Sequence, residues 1–273
     1  MISLAAPPKE ATTSILDEPV SASRLSTFHQ CRRKFSFTYL EKIKKPTTAP
    51  LHVGRMVHAG LQEWNTLRWL NRPCSAEDIR TTFDEHWTSS QEVEPVKFDE
   101  GEEEIQKQKA WGLVEHYLAN TPLAYDVKPD AVEVMAEADL SKHGLPKIRG
   151  VIDLIQDSTI VDFKTTAVTP SSDPDLVFQK HESQLTLYSL LYRDAVGEKE
   201  KRQQLHHIVK LKSPKLVVTT HEPATEKQIT RLFRSIESYT DGVERGDDVP
   251  SVGLHCSSCP YQRECLAWTG ERP

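Results

Sequence analysis

The stretch GVIDLIQDSTIVDFKTT, residues 150–166, sets three ionisable side chains among apolar residues. Asp153 and Asp162 stand nine residues apart, and Lys164 follows two after the second. Successive strand residues point to opposite faces, so Asp162 and Lys164 share a face if the run is extended. The run divides at Asp157-Ser158 into two short apolar segments that read as a hairpin, and that turn can bring Asp153 alongside the other two. Charges gathered on a sheet face cost on the order of several kcal/mol each unless they are compensated. Two compensations are open at this point. One is a divalent cation, since hard cations take carboxylate oxygens, which leaves the ammonium to meet a substrate phosphate or orient a water. The other is a cross-strand ion pair of Lys164 with Asp153 or Asp162.

The surrounding elements must hold these groups in place. AVEVMAEADL, residues 131–140, alternates apolar and polar residues as a half-buried strand does, and it carries Glu133 and Glu137, of which Glu133 is a candidate further acid. Helical spacing returns over 176–195 with Leu176, Leu185, Tyr188 and Leu191, and Gln184 and Tyr188 lie one turn apart there. QLHHIVKLK and KLVVTTHE read as a second strand pair, broken at Ser213-Pro214. Upstream, SASRLSTFHQCRRKFSFTYLEKI reads as one helix capped by Ser21 or Ser23, and HVGRMVHAGLQEWNTLRWL as another. Residues 75–89 and 102–119 read as two more helices, and 224–244 as the last long one. Residues 1–20 are Pro-, Ser- and Thr-rich without a period and read as a flexible arm. The expected fold is one α/β domain over 21–273 with a mixed sheet, a helical N-terminal portion and a helical insertion at about 75–120.

Composition narrows the class. The chain has 273 residues, 37% hydrophobic and 27% charged, which suits a globular protein with a buried core. No run is long and apolar enough for a membrane span, and the opening has no basic-then-apolar leader, so a cytoplasmic location without membrane contact is expected. The formal charge of -6 equals that of one segment, EVEPVKFDEGEEE, which has seven acids and one lysine. By contrast CRRKFSFTYLEKIKK has six bases and one acid. Its Arg32, Arg33 and Lys34, with Arg55 further on, are candidate contacts to a nucleic-acid backbone, with a solvated helix face as the plainer reading. Three of the five cysteines, Cys256, Cys259 and Cys265, form C-x2-C-x5-C near the end of the chain. Such clustering in an intracellular chain points to metal, with Cys31 or Cys74 as the fourth thiolate. Four thiolates suit tetrahedral Zn²⁺ or an iron-sulfur cluster equally.

Taken together, several of these motifs resemble the PD-(D/E)XK nucleases, in particular their RecB/AddB-like branch. GVIDLI and IVDFKTT resemble that family's signature, GRMVHAGLQ its histidine-bearing helix, SQLTLYSLLY its Q-x-x-x-Y helix, and SASRLSTFHQCRRKFSFTYL its N-terminal helix. The matches run in the family's order over residues 21–265. The resemblance implies a restriction-endonuclease-like core that hydrolyses phosphodiester bonds of DNA, as an exonuclease on single strands or duplex ends. It implies Mg²⁺ or Mn²⁺ held by His58, Asp153, Asp162 and the backbone carbonyl of Phe163. It gives Lys164 the attacking water and the phosphate charge, and gives Gln184 and Tyr188 the task of holding the lysine or the DNA strand. An early cysteine with a C-terminal C-x-x-C-x5-C is similar to AddB and the CRISPR-associated adaptation nucleases, which implies a [4Fe-4S] cluster on Cys31, Cys256, Cys259 and Cys265. The cluster would tie residues 225 apart, Cys31 and Cys256, and leave Cys74 aside. Partners implied are DNA and a helicase or CRISPR integrase subunit. A CRISPR spacer-processing subunit and a non-catalytic nucleic-acid-binding module are the alternative functions.

Overall fold

A computed structural model describes residues 15–270. Contacts divide these residues into two compact units, one of 44–138 and 150–232, the other of 15–43, 139–149 and 233–270.

The first unit is built on a five-stranded mixed sheet in the order β1-β2-β3-β4-β5. Strands β2 (Ile148–Gln156) and β3 (Thr159–Thr166) form the expected antiparallel hairpin, with Leu154 opposite Val161 and Gln156 opposite Thr159. Asp157 and Ser158 adopt φ of 49° and 56°, the left-handed values that a two-residue turn of type I′ requires at both positions. Strand β4 (Arg202–Val209) runs parallel to β3, with Asp162 paired to Leu205 and Lys164 to His207. Strand β5 (Lys215–His221) returns antiparallel to β4, and β1 (Ala131–Ala138) borders β2 at the other edge.

Parallel neighbours need a long crossover. Here it is α6 (Pro174–Val196), which starts with Pro174 behind an Asp173 cap and stops at Gly197, at φ 81°. Its far end is pinned by Glu200, which accepts from Ser189 Oγ (2.6 Å), Arg193 Nε (2.8 Å) and the Ala224 N–H (2.8 Å). A buried carboxylate with this many donors is a rigid anchor rather than a liability.

Three further helices, α3 (Ala49–Trp69), α4 (Ala76–Val93) and α5 (Glu102–Asn120), share one core with the sheet. Val57, Leu61, Trp64, Phe83, Val114 and Tyr117 pack there with Leu154, Val161 and Phe163. The acidic segment has a structural use in this unit. Glu102, Glu103 and Glu104 fill the first turn of α5, where the helix dipole favours anions. Glu103 accepts from Trp87 Nε1 at 3.1 Å, and Glu94 pairs with Arg55 at 2.7 Å.

In the second unit the N-terminal segment, expected as a single helix, is broken. Helix α1 (Ala22–Gln30) ends at Cys31, which is extended at φ −163° and ψ 113°. The Cys31 sulfur then caps α2 (Arg32–Phe35) by accepting from the Lys34 N–H at 3.5 Å, and a π turn covers Ser36–Leu40. Cys31 itself is 7% exposed at the break. The expected arm of residues 1–20 lies outside the described residues up to 14. Beyond them Val20 is 1% exposed and bridges Ile148. Phe28, Phe35 and Tyr239 meet edge to face, with Tyr239 on α7 (Glu226–Glu244). The chain closes with a 3₁₀ turn at Leu254–Ser258 and α8 (Gln262–Ala267).

Gly242 marks the tightest approach in this unit, since a Cβ there would lie 2.5 Å from Phe28 Cζ. Gly242→Ala is expected to destabilise by about 1–3 kcal/mol through overpacking, despite the better helix propensity of alanine. A thermal melt would read this directly, and a melting temperature equal to or above that of the unaltered protein would contradict it. Among the described residues, no helix is long and apolar enough to cross a membrane.

Candidate active site

All the residues expected at the catalytic centre fall within the sheet unit, on β2, β3, α3 and α6. The regular hairpin pairing stops short of the acids. Past it, the Phe163 N–H donates to Asp153 Oδ2 at 2.7 Å, so a side chain takes the place of a ladder bond. Asp162 is 2% exposed and the Asp153 side chain 14%, so the first carboxylate is buried and the second is largely withdrawn from solvent.

Lys164 and Gln184 form a closed ring with Asp162. Lys164 Nζ lies 2.7 Å from Asp162 Oδ2 and donates to Gln184 Oε1 at 2.9 Å. Gln184 Nε2 donates to Asp162 Oδ1 at 3.0 Å and to the Tyr188 hydroxyl at 2.9 Å. The one-turn spacing of Gln184 and Tyr188 on α6 makes this chain possible. Tyr188 itself is buried, and a Cβ on Gly150 would touch its ring at 3.0 Å, so glycine there lets α6 sit close to β2. His58, on α3, brings Nδ1 to 3.8 Å from Asp153 Oδ2 and hydrogen-bonds the backbone of Phe163. Thus His58, Asp153, Asp162, Phe163, Lys164, Gln184 and Tyr188 are brought together.

The electrostatics are those of a site short of positive charge. Burial pushes the Asp162 carboxyl up to about 6 against the pull of Lys164, and Asp153 adds to the rise. Burial likewise lifts Asp153 to about 6, countered by the Phe163 N–H and Lys164 and reinforced by Glu133. Glu133 is exposed on β1 and holds φ at 49°, a left-handed conformation unusual for a non-glycine residue. Burial also holds the His58 imidazole below its ordinary range, so it is a neutral nitrogen donor at pH 7.

Among the described residues, no three His, Cys, Asp or Glu side chains converge closely enough to hold a metal ion as they stand. The donor chemistry nonetheless fits a divalent cation. Two desolvated carboxylates share a single lysine, and Asp162 Oδ2, although ion-paired, lacks any bond of hydrogen-bond geometry. Hard oxygen donors with a neutral imidazole beside them suit Mg²⁺ or Mn²⁺.

The raised carboxylates carry a stability consequence. Between about pH 4 and 6 the folded chain binds these protons more tightly than the unfolded chain, so each carboxylate removes stability as pH rises through that window, on the order of 3 kcal/mol apiece. Buried histidines such as His206 and His207 act in the opposite sense, so the difference between variants is what isolates the effect. Metal-free Asp162→Asn is expected to match the unaltered protein near pH 4 and to exceed it in urea unfolding at pH 7.5. A difference that stays constant with pH would show that the acids are not desolvated.

The remaining candidates lie elsewhere. Arg33 is 5% exposed, paired with Glu41 and Asp248 at 3.0 Å each, and stacked over Phe37. It is therefore part of its unit's core rather than an exposed cation. Arg32 lies over the Phe28 ring, Lys34 bonds Gln30 at 2.9 Å, and Arg55 is half-exposed on Glu94. Cys31, Cys256, Cys259 and Cys265 line one cavity of about 170 Å³, all as free thiols. Burial, then Cys31, Cys259 and Cys256, raise the Cys265 thiol above its ordinary range. Cys74 lies in the other unit, against the helical core. The sequence reading missed Lys180, His181 and His207 beside Lys164, whose one local sign was the paired histidines of β4.

The family model of the PD-(D/E)XK nuclease superfamily matches residues 19–266. Among solved structures, one from Eubacterium rectale described as a "Putative exonuclease" shares the fold, with a TM-score of 0.63 and 14% identity over 99% of this chain and 96% of that one. A second, SSO0001, overlaps 90% of this chain and 93% of its own at 16% identity and a TM-score of 0.36, too low to carry an argument. No curated protein matches. With two desolvated acids, a lysine and a Q-x-x-x-Y helix meeting in one site, and a family match over nearly the whole length, the chain belongs to the PD-(D/E)XK nuclease superfamily.

Proposed function

We propose that this protein is a metal-dependent DNA exonuclease of the RecB/AddB-like branch, with a structural [4Fe-4S] cluster. The observation that carries the nuclease reading is the ring of Asp162, Lys164 and Gln184, backed by Tyr188 and set beside Asp153 and His58.

Asp153, Asp162, His58 and the Phe163 carbonyl would hold Mg²⁺ or Mn²⁺, which when bound acidifies a water and neutralises charge on the phosphate. Lys164 then presents an ammonium that is fixed in direction by Gln184 and Asp162. It stabilises the negative charge that grows on the phosphate oxygens as water attacks. Tyr188 keeps Gln184 in place, so the lysine meets the phosphate without reorganising. The exonuclease character draws on the resemblance and on the description of the Eubacterium rectale protein. The support for a cluster is the single cavity that the four cysteines line, together with the resemblance of the early cysteine and the C-x2-C-x5-C to iron-sulfur nucleases.

The test is cleavage of end-labelled single- and double-stranded DNA by anaerobically purified protein with Mg²⁺, Mn²⁺ or EDTA. Metal-dependent release of nucleotides from an end is expected. Binding without cleavage in either metal would favour a non-catalytic module, and cleavage of closed circles would replace exonuclease by endonuclease.

A further inference from the structure

We propose that the cleft beside Lys164, walled by Lys180, His181 and His207, is a second phosphate-binding site that takes a phosphate of the bound strand next to the one being cleaved. This rests on the nuclease reading and adds a substrate-positioning subsite to it.

Topology brings the three together. Lys164 on β3 pairs in register with His207 on β4, and residues paired across parallel strands stand side by side on one face. On α6 the row of Tyr188 and Gln184 continues a turn further to His181 and Lys180. The cleft has a volume of about 400 Å³, within the range that binds small-molecule-sized groups, and no aspartate or glutamate lines it. Thr169 and Ser171 add hydroxyls to its wall.

His207 is the observation that asks for a ligand. It is 5% exposed, it lines the cleft, and its Nδ1 has no hydrogen-bond partner. Unpaired buried polar atoms are costly and uncommon. The charge around them selects the ligand. Lys164 and Lys180 oppose a cation, and burial together with these lysines holds both imidazoles at about 4, so each is neutral at pH 7 and offers one N–H. Neutral donors flanked by ammonium groups suit a phosphate oxygen. Because the ammonium of Lys164 both contacts Asp162 and lines this cleft, the phosphate held here adjoins the reacting one.

That phosphate could be an internal diester or a terminal monoester. The experiment compares Lys180→Ala/His181→Ala and His207→Gln with the unaltered protein on four single strands: 5′-phosphorylated, 3′-phosphorylated, unphosphorylated and circular. Dissociation constants are measured in EDTA and KM and kcat with Mn²⁺ on the linear strands. A rise of about tenfold in Kd and KM with kcat unchanged is expected. Loss on every strand, the circle included, identifies an internal phosphate, and loss confined to one phosphorylated end identifies a terminal one. Constants unchanged on all four strands, with cleavage intact, overturn the subsite and leave the nuclease standing. If no strand is cleaved but the variants lose binding, the subsite stands and the nuclease reading falls.

Discussion

Lys164→Ala is expected to slow DNA cleavage by about 10²–10³-fold, the usual cost of removing one charged or hydrogen-bonding group aimed at a developing negative charge. The ammonium is within 2.7 Å of Asp162 and 2.9 Å of Gln184, so it is held in place before substrate arrives. Because its partners fix its direction, the loss should fall mainly on the single-turnover rate constant, with DNA affinity lowered only as far as the neighbouring cleft loses one of its two ammonium groups. Asp162→Ala should be more damaging, because it removes a proposed cation ligand and the lysine's partner at once. Gln184→Ala should fall between Lys164→Ala and the unaltered protein, since it frees the lysine without removing it. Rates are read from end-labelled DNA in Mn²⁺ with excess enzyme. Cleavage by Lys164→Ala within about threefold of the unaltered rate would remove the lysine from the chemistry, as a group acting on the transition state contributes far more than that.

Cys259→Ala is expected to lose the iron of the proposed cluster and much of the stability of its unit together. A cross-link between Cys31 and Cys256 restricts a loop of about 225 residues in the unfolded chain, and chain-entropy reasoning for a loop of that length gives on the order of 5 kcal/mol. For a chain of this size that corresponds to a fall in melting temperature of roughly 10–20 °C. Cys74→Ala serves as the control, because Cys74 does not line the cysteine cavity and should leave the iron content intact. Iron and acid-labile sulfide are measured on anaerobically purified protein, with zinc in parallel. Four zinc-bound thiols with no sulfide would replace the cluster by a zinc site. A Cys259→Ala protein that keeps its iron and its melting temperature would end the idea of a clamp.

Much of the site was legible because its residues obey short periods. Asp162 and Lys164 share a face through strand alternation, Asp157-Ser158 makes a turn of primed type, and Gln184 reaches Tyr188 because four residues make about one helical turn. His58, by contrast, depended on resemblance, since nothing local distinguishes a histidine on α3 that faces Phe163 from one that faces solvent.

Four things waited for the tertiary structure, and each depends on a partner distant in sequence. Arg33 reads as an exposed base in a basic run, yet Asp248, 215 residues away, and Glu41 draw it into its unit. The helix break at Cys31, which lines one cavity with Cys256, Cys259 and Cys265, is not signalled by the apolar spacing around it. His207 stands beside Lys164 only because β4 pairs parallel to β3 in that register, which α6 imposes as the crossover. The raised pKa values of Asp153 and Asp162 come from burial, which no local pattern records. The sequence by itself determined which face each side chain takes within its own strand or helix, because backbone geometry repeats over two to four residues. Only the tertiary structure decided which faces meet and how dry they become, because register and desolvation arise between segments that have no fixed spacing along the chain.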